Sequence, residues 1–141
     1  MNVRPRSLRR PDVLALGALI VATALGCRSN LDTPFSIQRE FGLARAATVP
    51  SDAEGVTESG LELSGTQRRA TWRFRQAREV TAMRADAETQ LAESGYRCRQ
   101  EGRVLNCAKS LPGDRLNVVM TASDVDGTVA SWNVEFTARP D

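Results

Sequence analysis

Apolar and polar residues alternate strictly from Arg69 to Arg75, with Ala70, Trp72 and Phe74 on one side and Arg69, Thr71, Arg73 and Arg75 on the other. A period of two predicts a half-buried strand. Leu61 and Leu63, followed by Gly65-Thr66, predict a weaker partner strand ahead of it. The period then changes. Val80, Met83, Ala87 and Leu91 share one helical stripe among good helix formers, and Gly95 stands where a helix stops. The spacing predicts a helix over 78–94.

Beyond it the chain reads as short strands joined by tight turns. Glu101-Gly102-Arg103-Val104 fits a type II′ turn, with Gly102 at the position that demands a positive φ. A hairpin closed at 101 and 104 sets Cys98 across from Cys107 in a non-hydrogen-bonded pair. Cα atoms there lie about 4.5 Å apart, close enough for a disulfide. A turn at Asp126-Gly127 sets Met120 across from Trp132, Val118 from Val134 and Leu116 from Phe136. Pro112-Gly113 joins the two hairpins and brings Leu105 and Cys107 beside Met120 and Val118.

The four-stranded meander so built has an inner face of Tyr96, the cysteine pair, Leu105, Leu116, Val118, Met120, Trp132, Val134 and Phe136. Its outer face carries Arg97, Arg99, Asn106, Asn117, Thr121, Ser131, Asn133 and Glu135. One apolar side needs one cover, which the helix stripe supplies. The fold class expected is α+β: a two-layer sandwich over residues 61–141, one helix on a mainly antiparallel sheet, in the order β-α-β-β-β-β. The strand to which residues 69–75 pair stays open.

The N-terminus follows another pattern. Arg4, Arg6, Arg9 and Arg10 precede an apolar run from Val13 to Leu25, then Gly26 and Cys27. That layout is a secretory signal, and the run falls short of the ~20 residues of a comfortable membrane span. Residues 1–26 therefore read as a signal peptide. Ala24-Leu25-Gly26-Cys27 resembles the lipobox of bacterial lipoproteins, with Ala24 and Leu25 in the reverse of the usual order. The resemblance covers the leader alone. It implies cleavage before Cys27, acylation of that cysteine and attachment to a membrane through the lipid. Arg28, which is not the aspartate associated with inner-membrane retention, implies an outer-membrane location facing the periplasm. Cleavage without lipidation, or a retained anchor with an idle thiol, are the alternatives. The three cysteines, Cys27, Cys98 and Cys107, fit one lipid and one disulfide, since an exported chain must account for an odd cysteine.

Residues 27–60 are rich in Ser, Thr, Ala and acidic residues and read as a lipidated N-terminus and flexible tether. Thirty-odd such residues reach roughly 30 Å. Phe35, Ile37, Phe41 and Leu43 interrupt the polarity, either as a short helix that docks on a partner or as a transient apolar cluster.

Charge narrows the function classes. The 141-residue chain has a formal net charge of +2 from 19 basic and 17 acidic residues. Removing the four leader arginines and Asp12 leaves 15 basic and 16 acidic residues, without the positive excess that phosphate neutralisation by a nucleic-acid binder requires. No histidine occurs, which excludes Ser-His-Asp and Cys-His catalysis and histidine zinc sites. Asp124-Val125-Asp126-Gly127 lacks the further ligands of a calcium loop and is explained by turn chemistry. Glu79, Asp86, Glu88 and Glu93 line the polar side of the helix and read as solvated rather than catalytic. No catalytic residue, metal site or cofactor is expected.

Residues 68–109 hold ten basic and five acidic groups. If their strands are neighbours, Arg69, Arg73, Arg75, Arg97 and Arg99 form an arginine surface suited to carboxylates or phosphates of an envelope glycan, lipid headgroup or acidic protein. A solvated face kept soluble by charge is the plainer reading. The expectation is a non-enzymatic binding or assembly lipoprotein of the cell envelope. A periplasmic inhibitor or ligand-sensing lipoprotein, which requires a concave pocket with a polar rim, is the alternative.

Overall fold

The structure is a computed structural model that describes residues 33–126 and 129–141, the side chains of 124–126 excepted. The leader, the lipobox and Cys27 lie outside the described residues. Among the described residues two helices, α1 (Phe35–Thr48) and α2 (Val80–Glu93), each precede a run of strands, three after the first and four after the second. The strands are β1 (Glu54–Glu58), β2 (Glu62–Ser64), β3 (Gln67–Gln76), β4 (Arg97–Glu101), β5 (Val104–Leu111), β6 (Asp114–Asp126) and β7 (Val129–Pro140). They form one antiparallel sheet in the order β1-β3-β7-β6-β5-β4, and β2 pairs with β3 beside β1. The architecture is the α+β sandwich that the periodicities predict.

The inner face is built by parity. Trp72 and Phe74 of β3 lie across from Val134 and Trp132 of β7, and Val118 and Met120 of β6 lie across from Phe136 and Val134. Leu105 and Cys107 extend this layer onto β5, beside Met120 and Val118. All of these side chains are buried. Met83, Ala87 and Leu91 of α2 cover part of the layer. That helix ends as its sequence requires. The N–H of Tyr96 donates to the Leu91 carbonyl and that of Gly95 to the Ala92 carbonyl, while Gly95 takes a φ of 92°. This is the Schellman arrangement, and a residue with a Cβ would be strained there.

Two expectations change. The β6–β7 register is displaced by two residues, since Met120 faces Val134 and Trp132 faces Ala122. The hairpin closes at Asp126 and Val129, and one extra residue of β6 is accommodated between Ser123 and Asp126. A slip of two preserves every face, so the inner and outer sets survive. The tether is corrected more fully. The folded unit begins at Thr33, not at residue 61. Within the span read as tether, α1 buries Ile37, Glu40, Ala44, Ala47 and Thr48, and Phe41 meets Trp72 and Phe136 edge-on at 5.8 Å. Short side chains at 44, 47 and 48 let the helix approach the sheet closely. The buried stripe is thus real but carries little hydrophobic signal. Phe35, the most conspicuous apolar residue of the segment, is 81% exposed.

At one margin of the sheet, β4 pairs with β5 alone, and a disulfide joins Cys98 to Cys107 with Cα atoms 4.0 Å apart. The cross-link ties this edge strand to the core through the buried Cys107. Replacing both cysteines by alanine is expected to cost about 2–3 kcal/mol, from the entropy of the short loop released in the unfolded chain. Equilibrium denaturation with and without reductant measures this. At the other margin Trp72 Nε1 donates to Thr48 Oγ1 at 3.0 Å, and that hydroxyl donates to the Ala44 carbonyl at 2.8 Å. Thr48→Val leaves the buried indole N–H without its acceptor, for an expected loss of about 1–3 kcal/mol in the same experiment.

Candidate functional surface

Both helices contribute to the core on the inner side of the sheet, and the outer side stays exposed or half-buried. Arg69, Arg73 and Arg75 project there from β3, Arg97 and Arg99 from β4. Between β3 and β4 lie β7, β6 and β5. Four strand spacings separate the two groups by roughly 19 Å, so the five arginines share a face without forming one cluster. The first group is also partly engaged. Arg69 Nη2 meets Glu135 Oε2 at 2.6 Å, and Arg73 Nε donates to Asn133 Oδ1 at 3.0 Å. Arg99 lies 3.8 Å from Glu101 in a largely exposed pair of small energetic weight.

The register gathers a different set. Arg115 of β6 lies across from Arg139 on one side and Ser110 on the other, and Arg97 of β4 lies across from Ala108, two residues from Ser110. These residues, with Lys109 and Asn117, line an open hollow of about 600 Å³. A second hollow of about 460 Å³, near the β6–β7 turn, is lined by Gly55, Arg73, Arg75, Ser123, Ser131 and Asn133 among others. Arg115 and Arg139 were legible in principle: Leu116 and Phe136 point inward, so odd-numbered residues of β6 and β7 fall on the outer face. Only the pairing of the two strand ends shows that they meet.

One buried charged cluster stands apart from this face. Glu40, 6% exposed, accepts from Lys109 Nζ at 2.7 Å and from the Tyr96 hydroxyl at 3.2 Å. Lys109 Nζ also donates to the Ser94 carbonyl at 2.8 Å and lies 5.6 Å from the Tyr96 ring centroid. The cluster fastens α1 to the end of α2 and to β5. Burial, then the negative charge of Glu40 and the hydrogen bond to it, push the Tyr96 phenol well above its ordinary range. A phenol so held is neither acid nor base near neutral pH, and the cluster is a clip rather than a reactive centre.

Among the described residues no group of three or more acidic or cysteine side chains could hold a metal ion, and no helix is long and apolar enough to cross a membrane. Asp86 on α2 pairs with Arg78 at 2.5 Å, and Glu88 accepts from Gln100 at 2.6 Å, both at the exposed surface. No protein family, curated protein or solved structure matches the chain.

Tyr96 is the only tyrosine, so tyrosinate absorbance reports on it alone. A folded-state pKa above the unfolded value means that the native protein holds this proton more tightly. The resulting stability is complete below the ordinary value of about 10 and is lost as pH rises beyond it. In an alkaline titration, tyrosinate is expected only together with unfolding. Ionisation near pH 10 in a protein that retains its fold would contradict the buried clip.

Proposed function

We propose that the chain is a non-enzymatic lipoprotein of the cell envelope, anchored through Cys27 and facing the periplasm from the outer membrane. In this reading its sheet domain binds an envelope protein or an anionic envelope component. The observation that carries it is the leader ending at Cys27 together with the pairing of Cys98 and Cys107, which leaves Cys27 as the odd cysteine. The absence of histidine supports the non-enzymatic part. The folded unit bears on the mode of action. Thr33 follows Cys27 by six residues, which at full extension span at most about 20 Å. A lipid on Cys27 would therefore keep the domain close to the membrane surface, where partners must lie within a short reach. The outer face, which no helix of the described residues covers, then offers a sheet surface for contact.

A ligand-sensing lipoprotein is the second reading, and the two polar-rimmed hollows on the outer face favour it. Intact mass of the membrane-extracted protein, compared with a Cys27→Ser variant, tests the anchor. A mature chain that starts at an acylated Cys27, with the variant released from the membrane fraction, is the expected result. An uncleaved or unlipidated wild-type chain would overturn it.

A further inference from the structure

The hollow bounded by β4, β5, β6 and β7 carries an excess of positive charge. Three arginines lie at its walls, Arg97, Arg115 and Arg139, and Lys109 lines it with its ammonium turned to Glu40 on the helix side of the sheet. Lys109 is neutralised by Glu40, and Arg115 has a partial counter-charge in Asp141, whose Oδ1 lies 3.5 Å from its Nε with both side chains about half exposed. Arg97 and Arg139 have no acidic partner among the described residues. About two positive charges are therefore uncompensated on one side of a small domain. The strands fix their backbones, so a ligand meets a framework that is already arranged.

We propose that this hollow is a binding site for a phosphorylated sugar. The inference deepens the anion-binding part of the function proposed above and rests on that part alone, not on the lipid. A carboxylate is satisfied by one guanidinium fork, whereas the terminal oxygens of a phosphate monoester accept from several at once. Its double charge also matches the uncompensated pair. The Ser110 hydroxyl and the Asn117 amide supply neutral donors and acceptors beside the arginines, as a hydroxyl-bearing carrier requires. The volume of about 600 Å³ suits a small molecule rather than a bare ion. The hollow at Arg73 and Arg75 also holds two arginines without an ion pair among the described residues, but it is smaller, and Arg73 is already engaged by Asn133.

Calorimetric titration of the full-length protein in neutral detergent with glucose 1-phosphate, beside glucose and citrate, tests the site at low ionic strength. Saturable binding of glucose 1-phosphate is expected, with no response to glucose and a weaker one to citrate. Arg97→Gln with Arg139→Gln should weaken it at least tenfold, whereas Arg73→Gln with Arg75→Gln should change it less than twofold. Asp141→Asn should tighten it by removing a competing carboxylate. Circular dichroism and the melting temperature of each variant confirm that the fold is retained. Binding that survives Arg97→Gln with Arg139→Gln but is lost with Arg73→Gln and Arg75→Gln would overturn the site and keep the anion-binding reading. A flat titration with every anion would overturn both.

Discussion

An antiparallel sheet with one largely apolar face must be covered across its width, and most of this fold follows from that constraint. The inner face runs from Trp72 and Phe74 on β3, through β7 and β6, to Leu105 and Cys107 on β5. A single helix of fourteen residues cannot shield so wide a layer. Helices pack about 10 Å from their neighbours, while the four strands from β3 to β5 span roughly 14 Å between their axes alone. The second cover is α1, which lies against β7 and brings Phe41 to Trp72 and Phe136. Its attachment is reinforced by two polar contacts that a water-exposed tether would not form: the Thr48 hydroxyl under the Trp72 indole, and Glu40 between Lys109 and Tyr96.

Recruiting α1 reorganises the rest of the molecule. The segment preceding β3 becomes part of the domain, and β1 and β2 add to the free edge of β3. Among the described residues the polar face opposite the helices is left uncovered. Its charges are distributed by register rather than by sequence proximity. Of the arginines that lie close along β3, Arg69 engages Glu135 and Arg73 engages Asn133, whereas Arg97, Arg115 and Arg139 come from three separate strands and meet at one hollow.

The difference between what was legible in the chain and what was not has a physical basis. Parity and turn chemistry are local, so the inner face, α2, the Gly102 hairpin and the Cys98–Cys107 pairing could all be read directly. The helix α1 was legible only as one of two alternatives at Phe35, Ile37, Phe41 and Leu43, because its buried stripe contains Glu40, Ala44, Ala47 and Thr48 and only one large aliphatic residue, Ile37. Burial there depends on a close approach and on hydrogen bonds supplied by distant residues, and neither leaves a hydrophobic period. Register was half legible. The Asp126-Gly127 signal located the turn region, but closure at Asp126 and Val129, with one extra residue of β6 between Ser123 and Asp126, displaced the partners by a net two. The arginine surface depended on strand order, which local pattern does not encode. For that reason the two arginine groups, which form one surface only on neighbouring strands, are separate, and the hollow with Arg115 and Arg139 emerged only from the pairing.

The claim on which this account turns is that α1 is an integral cover of the sheet. Native-state hydrogen exchange across residues 35–48 tests it most directly, because amides of a docked helix open with the domain while those of a tether exchange freely. Protection of the α1 amides approaching that of β6 and β7 is the expected result. Exchange at the rate of an unfolded chain would contradict the account, leave Trp72 and Phe136 without their cover and restore a flexible tether up to β1.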